Sequence, residues 1–153
     1  YTGLFSSKER QLFKHHVLWT RLLREIKTTS PEGRVVDLIP FVLCRQSQLV
    51  LKPNRLYGGK GVLFGRDVNR SAWERKIERV LEEPGEWVVQ QLGRLRKKRF
   101  FRPDGRKAHE KDLYVVSGFF ATENGIGIVG RMSERAVVNV ARAGGLTPIF
   151  LIK

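Results

Sequence analysis

Leu49-Val50-Leu51-Lys52-Pro53-Asn54, followed after Arg55-Leu56-Tyr57 by Gly58-Gly59-Lys60-Gly61-Val62, is the stretch whose reading decides the fold. Three apolar residues closed by a proline read as a short buried strand. A lysine at the end of such a strand is costly unless an anion meets its charge. The following loop carries three glycines, which let backbone N–H groups approach a phosphate closely. Lys60 adds a mobile cation, and 62–65 reads as the returning strand of a hairpin. A glycine hairpin with solvated lysines fits the same residues, so the neighbouring segments have to decide.

Upstream, Ser6 and Glu9 form a capping-box pattern. Leu12, Phe13, Val17, Trp19, Leu22, Leu23 and Ile26 then recur near helical spacing, which predicts a helix over 7–27. A loop follows over 28–33. The segment 35–44 reads as a short helix or a buried turn, because Pro40 interrupts it.

Downstream, Ser71 and Glu74 suggest a second capping box. Trp73, Ile77, Val80 and Leu81 share a helical face, and Pro84-Gly85 stops the helix. Trp87-Val88-Val89-Gln90-Gln91-Leu92 is a strand that turns polar at its end, and such an end can present backbone groups to the edge of an adenine ring. The segment 94–107 is a basic hairpin with eight Lys or Arg, one acid (Asp104) and Pro103-Asp104-Gly105 as its turn. Strands are expected at 113–121, 126–132, 136–141 and 149–152, with a turn at 122–125 and a break at Gly144-Gly145. The fold class is α+β, with an antiparallel sheet and packed helices. No repeat or linker divides it. One domain is expected, with a helical lead-in over 1–47 and a sheet-rich part over 48–153.

The chain has 153 residues, 41% of them hydrophobic, which excludes global disorder. Its 29 Lys and Arg against 15 Asp and Glu leave a net charge of +14, which implies an anionic partner. Cys44 is the only cysteine, so no intrachain disulfide or cysteine-rich zinc site can form. No apolar run approaches the length of a membrane span and no signal peptide is visible, so a cytoplasmic location without membrane partners is expected. The chain begins at Tyr1 and its one methionine is Met132, which fits a piece of a longer protein.

Other motifs carry less. Gly125-Ile126-Gly127-Ile128-Val129-Gly130 matches G-x-G-x-x-G, but strand follows it where a dinucleotide site needs a helix. It reads as a glycine-rich hairpin. No P-loop motif occurs. His15 and His16 are adjacent on a predicted helix and so do not share a face, and His109 is placed in a polar loop. Arg131 and Asn139 fall on strands expected to be adjacent, where a guanidinium and an amide suit a phosphate or metal.

In combination, these segments resemble the ATP-grasp superfamily. More narrowly they are similar to its circularly permuted branch, which includes relatives of glutathionylspermidine synthase. Lys52-Pro53-Asn54, the run from Gly58 to Val62, Val138-Asn139-Val140 and Gly144-Gly145 carry the resemblance, which covers the chain from about residue 5 onward. It implies the ATP-binding part of a ligase that joins a carboxylate to an amine or thiol through an acyl phosphate. Lys52 would hold the ATP phosphates. Gly58, Gly59, Lys60 and Gly61 would close over them. Gln90, Gln91 and Leu92 would form the hinge beside adenine. Arg131 would reach the transferred phosphoryl group, and Asn139 would shape the phosphate or metal end.

Two departures stand out. The Glu-x-Asn that helps such enzymes hold magnesium is missing, since Val137 stands two residues before Asn139. Asp112 and Glu134 are possible acids, with no spacing to single them out. In the permuted branch the metal ligands lie upstream of the lysine strand, so an acidic remainder of the same protein is an expected partner. Gln91 also replaces a glutamate common at the hinge. The competing class is a basic module for RNA or single-stranded nucleic acid, resting on the net charge and on Phe100 and Phe101 among the cations of 94–107.

Overall fold

The computed structural model describes residues 3–83, 85–94, 96–104, 107–138 and 144–150. It is α+β, and every strand pair among these residues is antiparallel. Its contacts fall into two compact units, Tyr1–Gly93 and Arg94–Lys153. The one-domain expectation, divided near residue 47, meets a chain whose contacts divide at Gly93.

The first unit runs α1 (Ser7–His16), β1 (Thr20–Leu22), β2 (Lys27–Thr29), β3 (Val35–Asp37), α2 (Leu38–Cys44), β4 (Leu49–Pro53), β5 (Leu63–Phe64), α3 (Arg70–Leu81) and β6 (Trp87–Gln91). Its main sheet has the order β1-β6-β4-β5, and β2 and β3 form a separate hairpin. Leu49 and Leu51 of β4 and Val89 of β6 join Leu38 and Val42 of α2, Trp73, Ile77 and Val80 of α3, and Leu23 in one buried cluster. The helical spacing of Trp73, Ile77 and Val80 thus gives α3 its buried face. Trp73 Nε1 donates to the Val42 carbonyl at 3.2 Å, which satisfies the one polar atom of that ring inside the core.

Three expectations about this unit need correction. The helix expected over 7–27 ends at His16, where the Val17 N–H closes the last turn on the Phe13 carbonyl. The chain then pairs Thr20 with Gln90 and Leu22 with Val88, because the edge of β6 offers hydrogen bonds that a longer helix would leave unmade. The loop expected over 28–33 begins as strand β2, and its turn is made at Gly33, whose φ of 85° favours glycine. The cap of α3 is Asn69, whose Oδ1 accepts from the Ala72 N–H at 2.9 Å, so Ser71 lies inside the first turn. Pro40 sits in the first turn of α2, where its missing N–H has no intrahelical partner.

The second unit contains β7 (Lys97–Asp104), β8 (Lys107–Thr122), β9 (Gly125–Ser133) and β10 (Gly145–Thr147), ordered β10-β9-β8-β7. The basic hairpin is present as β7 and β8. Strand continues through Pro103 to Asp104, two residues expected in the turn at 103–105, and Gly105 lies outside the described residues. His109 lies on β8 rather than in a loop. The G-x-G-x-x-G stretch is the first part of β9, as the hairpin reading expects, and enters it at Gly125 with φ 133°. Residues 134–137 are bends and 138 is irregular, so 136–138 do not start the strand expected over 136–141, and 139–141 lie outside the described residues. Asn139 lies outside the described residues. The last strand among the described residues is Gly145–Thr147; of the strand expected over 149–152, Ile149 and Phe150 are not strand and the rest lies outside the described residues. No helix among the described residues is long and apolar enough to cross a membrane.

Candidate functional site

Strand alternation builds the site. On β4, Leu49 and Leu51 turn to the core, which sends Val50 and Lys52 to the opposite face. The register sets Val50 opposite Gln90 and Lys52 opposite Val88, so Gln90 is the diagonal neighbour of Lys52. On the far side of β6, Gln90 faces Thr20 of β1. The three side chains form a line across three strands. The Lys52 ammonium donates to Gln90 Oε1. Gln90 Nε2 donates to Thr20 Oγ1 at 2.8 Å, and Thr20 Oγ1 donates to the Leu18 carbonyl at 2.9 Å.

Lys52 is partly buried, and no carboxylate pairs with it among the described residues. Burial pulls its ionisation below the ordinary 10.5, with no nearby charge opposing the shift. The ammonium is therefore held by a neutral acceptor alone. That is the electrostatic state of a cation prepared to meet an anion.

The glycine loop follows directly. Gly58, Gly59 and Gly61 have φ values of 68°, 72° and 72°, a left-handed region that side chains avoid. Gly61 is doubly constrained, since a Cβ there would lie 2.6 Å from Pro53 Cγ. Among the described residues the N–H groups of these three glycines make no hydrogen bond, while Lys60 N–H closes on the Tyr57 carbonyl at 3.2 Å. Lys60 is exposed, with its ammonium 4.9 Å from the Tyr57 ring centroid. Asn54 anchors the start of the loop. Its N–H donates to the Glu86 carbonyl at 2.6 Å and its side chain to the Gly85 carbonyl at 3.4 Å. Beneath the loop, the Lys76 ammonium rests 3.8 Å from the centre of the Trp87 ring, and burial lowers its ionisation ahead of repulsion from Arg79.

The strand end at 90–92, expected as a hinge, offers less open backbone than expected. The Gln91 N–H donates to the Trp19 carbonyl and the Leu92 N–H to the Gln48 carbonyl, both at 2.8 Å. The Gln91 side chain borders a groove of about 660 Å³ that Phe13, Val17, Trp19, Thr20 and Arg21 also line. The Arg21 guanidinium lies 5.1 Å from the Trp19 ring centroid and donates to Thr28 Oγ1 at 2.7 Å and to the Thr20 and Thr29 carbonyls. No carboxylate pairs with it among the described residues. Sequence reasoning missed Thr20 and Arg21 because it placed them inside a helix. The β-branched run around them, Thr20 and then Thr28-Thr29, was the available signal for strand.

Arg131 lies in the second unit, exposed on β9 between Val116 of β8 and Leu146 of β10. Among the described residues there, Glu110, Asp112 and Glu134 are engaged. Arg99 pairs with Glu110 at 3.2 Å and with Asp112 at 3.6 Å, and Lys111 pairs with Glu134 at 2.6 Å. No group of three His, Cys, Asp or Glu among the described residues could hold a metal ion. The described residues do not form a magnesium site. No protein-family model matches the chain, and no curated protein matches its sequence.

Proposed function

We propose that this chain carries the ATP-binding part of a cytoplasmic, ATP-dependent ligase that joins a carboxylate to an amine or thiol. The observation that carries the reading is Lys52, a partly buried cation without a carboxylate, beside a glycine loop whose N–H groups are open. Phosphoryl transfer asks a protein mainly for positioning and charge neutralisation, and these groups supply both. Lys52 and the loop N–H groups would hold the phosphates. The groove beside Gln91, with its Trp19 and Phe13 rings, would take the base.

In the reaction a substrate carboxylate oxygen attacks the γ-phosphorus, the bond to the β-phosphate oxygen breaks and ADP leaves. The amine or thiol then attacks the acyl carbon, loses a proton and releases inorganic phosphate.

Calorimetric titration of ATP into the chain at moderate salt tests the reading, with GTP and Lys52→Ala as controls. Saturable binding that prefers ATP and weakens with Lys52→Ala is expected. Equal, salt-sensitive binding of both nucleotides would mean a general polyanion surface. A steep salt dependence of RNA binding that ignores Lys52 would favour the nucleic-acid reading instead. Phe101, exposed on the face of β7 that also carries Lys97, is the feature that such a reading would use.

A further inference from the structure

The line from Lys52 to Thr20 has a direction. The Thr20 hydroxyl hydrogen is committed to the Leu18 carbonyl, so its oxygen is left to accept. The Gln90 amide nitrogen meets that acceptor at 2.8 Å, which turns the amide oxygen toward the Lys52 ammonium. Flipping the amide would set NH2 against NH3+ and leave two donors without acceptors in a partly buried place. Charged groups on the flanking elements face elsewhere. Arg21 of β1 is held by Thr28, and Glu86, just ahead of β6, pairs with Arg55 at 3.6 Å. Lys60 of the loop rests on Tyr57. Strand β5 brings only Leu63 and Phe64.

We propose that Gln90 is a positioning residue for Lys52, a neutral holder whose amide oxygen keeps the ammonium in place until a phosphate oxygen displaces it, with Thr20 fixing the amide's orientation. The holding contact stands on geometry, whereas its purpose rests on the nucleotide-binding reading above. Neutrality is the point of the device. A carboxylate at position 90 would form an ion pair that an incoming phosphate has to break, and an apolar side chain would leave the ammonium without a fixed position.

The test uses the whole chain with 13C-labelled lysine, following the Lys52 Cε signal against pH and assigning it by its loss in Lys52→Met. Gln90→Glu is expected to move the Lys52 midpoint upward by about one pH unit. The same variant is expected to lower ATP affinity about tenfold, and to lower it no further in a Lys52→Met background. Gln90→Met is expected to leave the fold intact by circular dichroism and to weaken ATP binding only where Lys52 is present. An unmoved Lys52 midpoint in Gln90→Glu would overturn the proposal. So would an equal affinity loss with and without Lys52, since Gln90 would then act by direct repulsion or on the base. If the midpoint shifts but the unaltered chain binds no nucleotide, the holding contact is supported and the nucleotide reading fails.

Discussion

The two units treat their apolar and charged residues in opposite ways. In Tyr1–Gly93, nine large hydrophobic side chains from both helices and strands close into one cluster, and the cation that matters, Lys52, is left without a carboxylate. In Arg94–Lys153 none of the described residues is a fully buried hydrophobic. Phe119 and Ile126 are 70% and 73% exposed, while Arg99 and Lys111 are matched by acids. A partly buried charge held only by a neutral acceptor costs stability and points to a ligand, whereas exposed, paired charges contribute little. The difference points to the first unit for the candidate chemistry.

The largest expected effect sharpens the packing side of this comparison. Trp73→Ala should cost about 3–5 kcal/mol, enough to unfold the first unit under mild denaturant, because it empties the centre of the cluster. Ile126→Ser should change stability by no more than about 0.5 kcal/mol, since that side chain lies in the open. Urea melts of the two variants check both. Comparable costs would break the contrast.

Gly61→Ala comes next. Left-handed backbone alone disfavours alanine by about 1–2 kcal/mol, and the Cβ also meets Pro53. A lower urea midpoint with weakened ATP binding is expected, while Gly125→Ala, also at positive φ but with nothing within 4 Å of its Cβ, should lose stability alone.

The pH dependence follows from Lys52. Its ionisation in the folded chain lies below the ordinary 10.5, so between the two values the unfolded chain binds more protons. The contribution of Lys52 to stability therefore rises with pH across that window. ATP affinity should fall over the same window, because only the ammonium holds phosphate. Alkaline denaturant melts and ATP titrations should show both slopes, and Lys52→Met should remove both.

Two smaller effects close the series. Arg99→Ala should cost under about 1 kcal/mol and less at high salt, as expected of an exposed pair. Ser6→Ala removes the reciprocal cap with Glu9, so the amides of α1 should exchange faster while the rest of the unit is unchanged. Hydrogen exchange by mass spectrometry would detect this.

The elements around Lys52 were legible because they are local. A three-residue apolar strand, a proline and a glycine loop need no knowledge of distant residues, and the buried face of α3 follows from Trp73, Ile77 and Val80 by helical spacing alone. The segment 17–27 was not legible. Its apolar residues fit a helix, yet Leu23 belongs to the core and Thr20 and Leu22 to a strand pairing with residues almost seventy positions away. Propensity cannot register the open edge of β6, so Thr20, Arg21 and the groove beside Gln91 were hidden with it. The cap of α3 was missed by two residues because Asn69 and Ser71 are both good caps, and only tertiary placement chooses between them.

The most direct test of the central claim is an ATP titration of the labelled chain that follows the Lys52 Cε signal and the amide signals of Gly58, Gly59 and Gly61. These signals are expected to move together and saturate, with the β7 amides unmoved. Movement confined to the β7 amides and abolished by salt, with Lys52 unchanged, would contradict it.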